Sequence, residues 1–276
     1  MSWKDTVQTI RGSADEEERT YAEVVEEEKK EFFSVMERVF SEALTNNNAQ
    51  PILDSIAQFG KVHSVANCAA IIGQAPGATI VKRYEEWQKE QHPVKSSGAG
   101  IIVLSQVPDT TPPKFTPYRV FDVSETKYRP NPAKEMNCDI LNSTLVSLLT
   151  EAGIKTTLVS EEFASDVKKE SNIIYLSDTA TNEEGLIAFA TAYSNHFASQ
   201  KGLSSPAAEY ATYIFIKRTN IPIPADVFDL RTTDSIKELK KDIFNARKIA
   251  NEMTASVRDK YLLQVQQKKK TAYRCL

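Results

Sequence analysis

Two stretches with apolar residues at helical spacing frame this 276-residue chain and constrain its fold more than any other feature. Over residues 18–44 the apolar side chains recur mostly at three- and four-residue steps, which predicts one long amphipathic helix. Over residues 236–257 the same steps alternate as in a coiled-coil seam. Tertiary packing within the same chain usually buries so short an apolar seam, so we expect this helix to pack on its own domain.

Between these stretches the pattern alternates between helix and strand, which predicts an α+β fold. Pro130 and Pro132 lie in an aperiodic segment, residues 125–137, that we interpret as a linker. The predicted helices are residues 52–59, 65–74 after Ser64 as N-cap, 138–152, 183–198 and 206–217, and the predicted strands are 101–105, 118–123, 155–159 and 172–176. The predicted divisions are a flexible acidic segment (1–17), a mixed α/β domain (18–130), a helix-rich domain (131–225), and a long C-terminal helix with a basic tail (226–276). We expect the tail to be disordered from about residue 264.

The composition excludes several classes of protein. A hydrophobic content of 41%, a charged content of 26% and a formal net charge of −3 are typical of a globular protein that is not disordered. No apolar run approaches the roughly 20 residues needed to span a membrane, and the first residues lack the apolar core of a signal peptide. The three cysteines have no short spacing, which argues against a disulfide framework and favours the cytoplasm.

The common catalytic and metal-binding motifs are absent from the sequence. There is no nucleophile elbow, no phosphate-binding loop, no dinucleotide fingerprint, no CxxC and no HExxH. Gly98 and Gly100 precede a strand, whereas a phosphate cradle requires glycines before a helix. His196 has Ala192 and Gln200 as helical neighbours, which cannot complete a zinc site. We therefore predict no catalytic residue, no metal site and no cofactor.

The strongest functional indication is a composite motif in residues 63–104, followed by VFDVSET at residues 120–126. It resembles the N-terminal domain of ArdC-type antirestriction proteins and the LtrC-like proteins of plasmids and conjugative elements. The resemblance extends over most of the chain and implies an N-terminal domain that binds single-stranded DNA, followed by a domain with a zinc-metallopeptidase-like (zincin-like) fold. The residues in register are Ser64, Asn67, Gln74, Pro76, Ala78, Thr79, Tyr84, Trp87, Val94, Lys95, Gly100 and Ile101.

The residue types of the first domain suit such binding. Over residues 82–129 basic side chains outnumber acidic ones and alternate with aromatic rings, the mixture that holds phosphates and stacks bases. At residues 95–100, however, the chain lacks two of the lysines found in the family's turn. The predicted DNA-binding residues are Lys82, Arg83, Tyr84, Trp87, Lys89, Lys95, Lys114, Tyr118 and Arg119.

The second domain lacks the residues that the resemblance would require for peptidase chemistry. Where the family has two histidine ligands and a general-base glutamate, this chain has Ala188, Ala192 and Phe189, within the run Ala188-Phe189-Ala190-Thr191-Ala192. The family's glutamate ligand aligns with Ala207, and Glu209 is a shifted alternative. A methyl group cannot bind zinc and a phenyl ring cannot activate water, so we predict a pseudoenzyme.

The sequence thus predicts a non-catalytic, cytoplasmic protein of a mobile element or phage that occupies and protects single-stranded DNA, as in antirestriction. One alternative is a protein-interaction module that grips a partner through the seam at residues 236–257. A second alternative is a metal-dependent hydrolase whose ligands have moved to Glu183, Glu184, His196 and Glu209.

Overall fold

The computed structural model describes residues 20–131, 134–160 and 172–274, with side chains up to residue 266. Within these residues the protein has a mixed α+β fold, as the sequence predicts. The predicted acidic segment, residues 1–17, lies outside the described part. The helices are α1 (Tyr21–Thr45), α2 (Gln50–Phe59), α3 (Val65–Gln74), α4 (Tyr84–Lys89), α5 (Cys138–Glu151), α6 (Asn182–Gln200), α7 (Ser205–Lys217) and α8 (Ile236–Arg274), and the strands are β1 (Val81–Arg83), β2 (Ile101–Gln106), β3 (Phe115–Asp122), β4 (Lys155–Val159) and β5 (Ile173–Ser177).

The first helix begins at a capping box and buries a single face. The Thr20 hydroxyl accepts the backbone N–H of Glu23, and the Glu23 carboxylate accepts the backbone N–H of Thr20. This reciprocal cap fixes the start of α1 a few residues after the predicted start. The buried face packs on α2, α3 and the sheet, and consists of Phe32, Met36, Val39, Phe40 and Ala43.

The first three strands form an antiparallel sheet in the order β1–β3–β2, and amides from α3 close the outer edge of β2. The Asn67 side chain donates to the carbonyl of Leu104 and accepts its N–H, at 2.9 and 3.0 Å. The Gln74 side chain does the same with Ile102, at 2.8 and 2.9 Å. These two residues of the composite motif therefore fix α3 against β2 and satisfy a strand edge that would otherwise be open.

A second part of the motif holds the other end of the sheet. Asp122 is buried, and its carboxylate accepts the backbone N–H groups of Thr79, Ile80 and Ser124 at 2.7–3.1 Å. Burial alone would raise the pKa of this carboxyl, but the hydrogen bonds outweigh it, and the net pKa is lowered. The charged carboxylate thus anchors the segment that enters β1.

Gly100 has a structural role at the turn into β2. Its φ is +69°, and a Cβ added there would lie 2.9 Å from the Phe121 ring. Only glycine accommodates both the backbone conformation and the close approach. Its N–H donates to the Glu125 carboxylate at 3.2 Å, which fixes the turn into β2.

In the second half, α7 is the most deeply buried helix and packs against α2, α6 and α8. Tyr210 and Tyr213 are completely buried on it. The Tyr213 hydroxyl donates to Asp54 of α2 at 2.7 Å, so α7 links the two halves. Strands β4 and β5 form a separate, parallel pair. Buried apolar residues of both halves belong to one contiguous core. The domain boundaries near residues 130 and 225 therefore stay predictions.

The predicted seam of the last helix faces the inside of this protein. Apart from half-buried Ile236, its residues are at most 2% exposed, which confirms that the helix packs on its own chain. The prediction of disorder from about residue 264 is wrong, because α8 continues to Arg274. Lysine and glutamine favour helix, and no proline or glycine interrupts this segment. The buried seam consists of Leu239, Ile243, Ala246, Ala250, Met253 and Val257.

Within the described residues, no helix combines the length and the apolar character needed to cross a membrane.

Candidate nucleic-acid interface

A cleft of about 1080 Å³ separates the turn between α2 and α3 from the three-stranded sheet and α4. One wall is formed by the end of α2, the turn and the start of α3, held in place by the amide contacts to β2. The other wall is formed by β1, α4 and the first half of β3. Side chains that line the cleft include Phe59, Val62, His63, Lys82, Arg83, Glu86, Lys89, Glu90, Phe115 and Tyr118, so basic residues outnumber acidic ones by one.

Arg83 and Tyr118 form a stacked pair in this cleft. The Arg83 guanidinium lies 4.3 Å from the centroid of the Tyr118 ring. Among the described residues, no carboxylate forms a salt bridge with that guanidinium, and the nearby Glu86 carboxylate accepts the backbone N–H of Arg83 at 2.8 Å. The pair therefore presents an uncompensated positive charge and a flat surface side by side, which is the combination that holds phosphates and bases.

The other two cations of the cleft differ from each other. The Lys82 ammonium forms an ion pair with Glu90 at 2.5 Å and lies 4.8 Å from the Trp87 ring, so its charge is largely compensated. Lys89 is exposed and takes part in none of the salt bridges among the described residues. Arg83 and Lys89 thus supply the free positive charge of the cleft.

The prediction that Trp87 contacts DNA is wrong. Its side chain has no exposed surface, and its indole N–H donates to the carbonyl of Phe121 at 2.8 Å. A buried indole with its only donor satisfied is stable in the interior and offers no face to a base. Phe115 offers a ring instead, because it is 46% exposed and lines the cleft; it is one of the aromatic residues that alternate with basic ones over residues 82–129, but it is not among the nine predicted DNA-binding residues.

Arg119 does not line the cleft, which corrects its assignment to the same site as Tyr118. Its guanidinium pairs with Glu28 of α1 at 2.7 Å and donates to the carbonyl of Ala99 at 2.6 Å. Successive side chains of a strand point to opposite faces of a sheet. Since Tyr118 faces the cleft, its neighbour Arg119 faces α1.

The remaining predicted residues lie on the surface outside the cleft. Tyr84 is 43% exposed, and its ring centroid lies 6.1 Å from that of Phe121 in an edge-to-face arrangement. The Lys95 ammonium donates to the carbonyl of Ser124 at 2.7 Å. Lys114 is exposed next to Phe115, at the start of β3. The structure therefore brings together four of the nine predicted residues, namely Lys82, Arg83, Lys89 and Tyr118.

His63 lies in the cleft and was not predicted to be part of it. It is 7% exposed, and its pKa is lowered by burial, raised by Glu86 and lowered by Arg83. The imidazole is thus favoured in its neutral form. Its position directly before the N-cap Ser64 is the only sequence feature that links it to the cleft.

The helix expected to carry a degenerate peptidase motif is α6. Phe189 is buried in the core there, at the position that the resemblance assigns to the general base. His196 hydrogen-bonds Gln200 at 3.0 Å. Glu184 belongs to the helix cap at Thr181, and the Glu209 carboxylate accepts the N–H of Asp229.

The relocated ligand set considered from the sequence does not converge. Among the described residues, no group of three or more histidine, cysteine, aspartate or glutamate side chains has an arrangement that fits a metal ion. The side chains of Glu184, His196 and Glu209 instead have the separate hydrogen-bond partners given above. The arrangement thus gives no support to a hydrolase built on these residues.

These features define a mixed α+β protein with a cationic, aromatic cleft between a helical wall and a small sheet. The same fold occurs in the antirestriction protein ArdC from plasmid R388. Its Mn(II)-bound crystal structure matches with a TM-score of 0.52 and 13% identity, covering 83% of this chain and 97% of that one. Its metal-free structure matches with a TM-score of 0.50 and 12% identity, covering 84% and 97%. The resemblance to ArdC-type proteins is therefore confirmed at the level of the fold.

No protein-family model matches the sequence, and no curated protein matches it significantly.

The Mn(II) ion in one of the ArdC structures raises the question of whether this chain has a corresponding site. The residues described here do not fit such a metal, because α6 has alanine and phenylalanine at the positions that the resemblance assigns to the ligands and base, and no ligand cluster replaces them.

Proposed function

We propose that this chain is a non-catalytic, antirestriction-type protein of a plasmid or related mobile element that binds single-stranded DNA in the cleft between α2–α3 and the sheet. The observation that carries the proposal is the stacked pair of Arg83 and Tyr118, with the exposed ring of Phe115 lining the same cleft. The likeness to ArdC supports the antirestriction part of the proposal.

The cleft is suited to unpaired nucleotides. Rings stack on any base, and each stacked base contributes about 1–3 kcal/mol regardless of sequence. Arg83 and Lys89 attract phosphates, since neither forms a salt bridge among the described residues, although Glu86 and Glu90 also line the cleft. The bases of a single strand in the cleft can reach the aromatic rings. The bases of a duplex cannot, because they are paired and stacked inside the duplex.

The mechanism in this proposal is occupancy of the DNA. A protein that covers a single strand denies it to nucleases without chemical change, so the pseudo-peptidase half needs no metal. Phe189 on α6 then serves packing, and α6, α7 and α8 form the structural half of the molecule.

A titration of fluorescently labelled oligo-dT with the protein, followed by anisotropy at several salt concentrations, tests the proposal. We expect saturable binding at low salt. Each phosphate contact on a single strand contributes about −0.7 to the slope of log K against log salt, so two to three contacts predict a slope of about −1.4 to −2.1. An unlabelled duplex of the same length should compete less well than unlabelled oligo-dT. No binding at low salt, or equal competition by the duplex, would contradict the proposal.

A further inference from the structure

Four basic side chains lie around the turn between α2 and α3. Lys61 belongs to the turn, Arg218 caps the end of α7, and Arg247 and Arg258 lie on α8. The two α8 residues are eleven positions apart, which is about three turns and places them on one side of the helix about 16 Å apart. Together they form a basic cluster where three helices meet.

Two of the four cations are structural. The Arg218 guanidinium donates to the carbonyls of Ile56 and Ala57 at 3.2 Å, and to Asn251 and Thr254 of α8. Arg247 donates through Nε to the carbonyl of Gly60 at 2.7 Å. Both therefore stabilise the carbonyl groups at the end of α2.

The cluster nevertheless retains free donors. No hydrogen bond of the described residues uses the two terminal nitrogens of Arg247, the Lys61 ammonium or the Arg258 guanidinium. None of the four cations takes part in a salt bridge there. Lys61 and Arg258 are exposed, so an external ligand reaches them.

The four charges repel one another. Burial and the neighbouring Arg247 lower the pKa of Arg218 to about 10, a value at which it stays protonated at neutral pH. Burial, followed by Arg218 and Arg258, lowers the pKa of Lys61. A bound anion would relieve this repulsion.

The cluster adjoins the cleft through the turn itself. Phe59, Val62 and His63 line the cleft, and Gly60 and Lys61 lie between them in the chain. Val62 is 85% exposed at this point and is adjacent to Lys61 in the chain. A strand that leaves the cleft over Val62 therefore arrives at Lys61 and the basic side of α8.

We propose that Lys61, Arg247 and Arg258 form a second phosphate-binding site, which holds the backbone of single-stranded DNA where it leaves the cleft. This inference rests on the proposed function and extends the DNA site onto the last helix. The cluster offers positive charge and free hydrogen-bond donors, which bind phosphate groups. The full site is thus longer than the cleft.

Binding of oligo-dT of two lengths, about 6 and about 16 nucleotides, tests this inference, since the shorter one fills the cleft and the longer one spans both sites. The test variant is Lys61→Gln with Arg258→Gln. The control is Lys237→Gln with Lys241→Gln, which removes equal charge from two exposed residues near the start of α8. We expect the test variant to weaken binding of the longer strand by at least about fivefold and to reduce its salt slope by about 1.4.

Binding of the shorter strand should be unchanged in both variants. A test variant that binds the longer strand as the wild type does, or that loses affinity equally for both lengths, would overturn the second site and leave the cleft intact. A wild-type protein that binds neither strand would instead overturn the proposed function itself.

Discussion

Replacing Tyr118 by leucine is expected to weaken binding of oligo-dT by about 5- to 150-fold, whereas replacing its neighbour Arg119 by glutamine is expected to change it less than about twofold. Leucine keeps the apolar bulk but removes the flat ring, and a stacked base is worth about 1–3 kcal/mol. Arg119 carries a full charge but faces Glu28 on α1, away from the cleft. The same anisotropy titration measures both effects.

This pair of variants separates the cleft from a general basic surface, because the two residues are adjacent in β3. A third variant, Arg83→Gln, should reduce the salt slope by about 0.7, the contribution of one phosphate contact. If Arg119→Gln weakened binding more than Tyr118→Leu, the DNA would lie on the α1 side of the sheet and the assignment of the cleft would be wrong.

The second large effect concerns stability. Replacing Trp87 by alanine is expected to lower the free energy of unfolding by about 3–5 kcal/mol, the usual cost of removing a large buried side chain. The indole is fully buried, and its N–H satisfies the carbonyl of Phe121. Urea denaturation followed by circular dichroism measures the change.

Tyr84 is the matched control for Trp87, since it lies three residues earlier on the same short helix and is 43% exposed. Tyr84→Ala should cost no more than about 1 kcal/mol. If Trp87→Ala does not fold, Trp87→Phe keeps most of the volume and should cost about 1–3 kcal/mol by leaving the carbonyl unpaired. A tryptophan variant as stable as the wild type would show that the indole is not part of the core.

Much of the fold follows from local sequence. The long helices, the N-cap at Ser64 and the strand at Lys155–Val159 occur where periodicity and capping place them. The α8 helix continues past its apolar seam because lysine and glutamine in residues 264–274 favour helix. The basic composition of this tail was therefore a poor indication of disorder.

The candidate site was harder to predict than the fold, because the type of a residue does not show whether its side chain faces the cleft, the core or the solvent. The alternation of a strand could have separated Tyr118 from Arg119 in advance. For Trp87, a helix of only six residues, Tyr84–Lys89, has too little periodicity to show which side is buried. The pairing of Arg119 with Glu28 joins residues that are 91 positions apart, and no local pattern indicates it.

The residues of the composite motif also show that residue type does not reveal what a side chain contacts. Asn67, Gln74 and Asp122 carry the resemblance to ArdC-type proteins, yet the structure shows them bonding to backbone groups that hold the sheet. They define the walls of the cleft and do not line it as a group. The residues proposed to touch DNA are mostly outside this motif.

Photo-crosslinking of a single-stranded oligonucleotide that contains 5-bromodeoxyuridine, followed by mass spectrometry, tests the central claim most directly, because crosslinks form where a base lies against a side chain. We expect crosslinked peptides that contain Tyr118 and Phe115, and their loss when unlabelled oligo-dT is added in excess. Crosslinks confined to the exposed rings of α1, such as Tyr21 and Phe33, with none in β3, would contradict the claim.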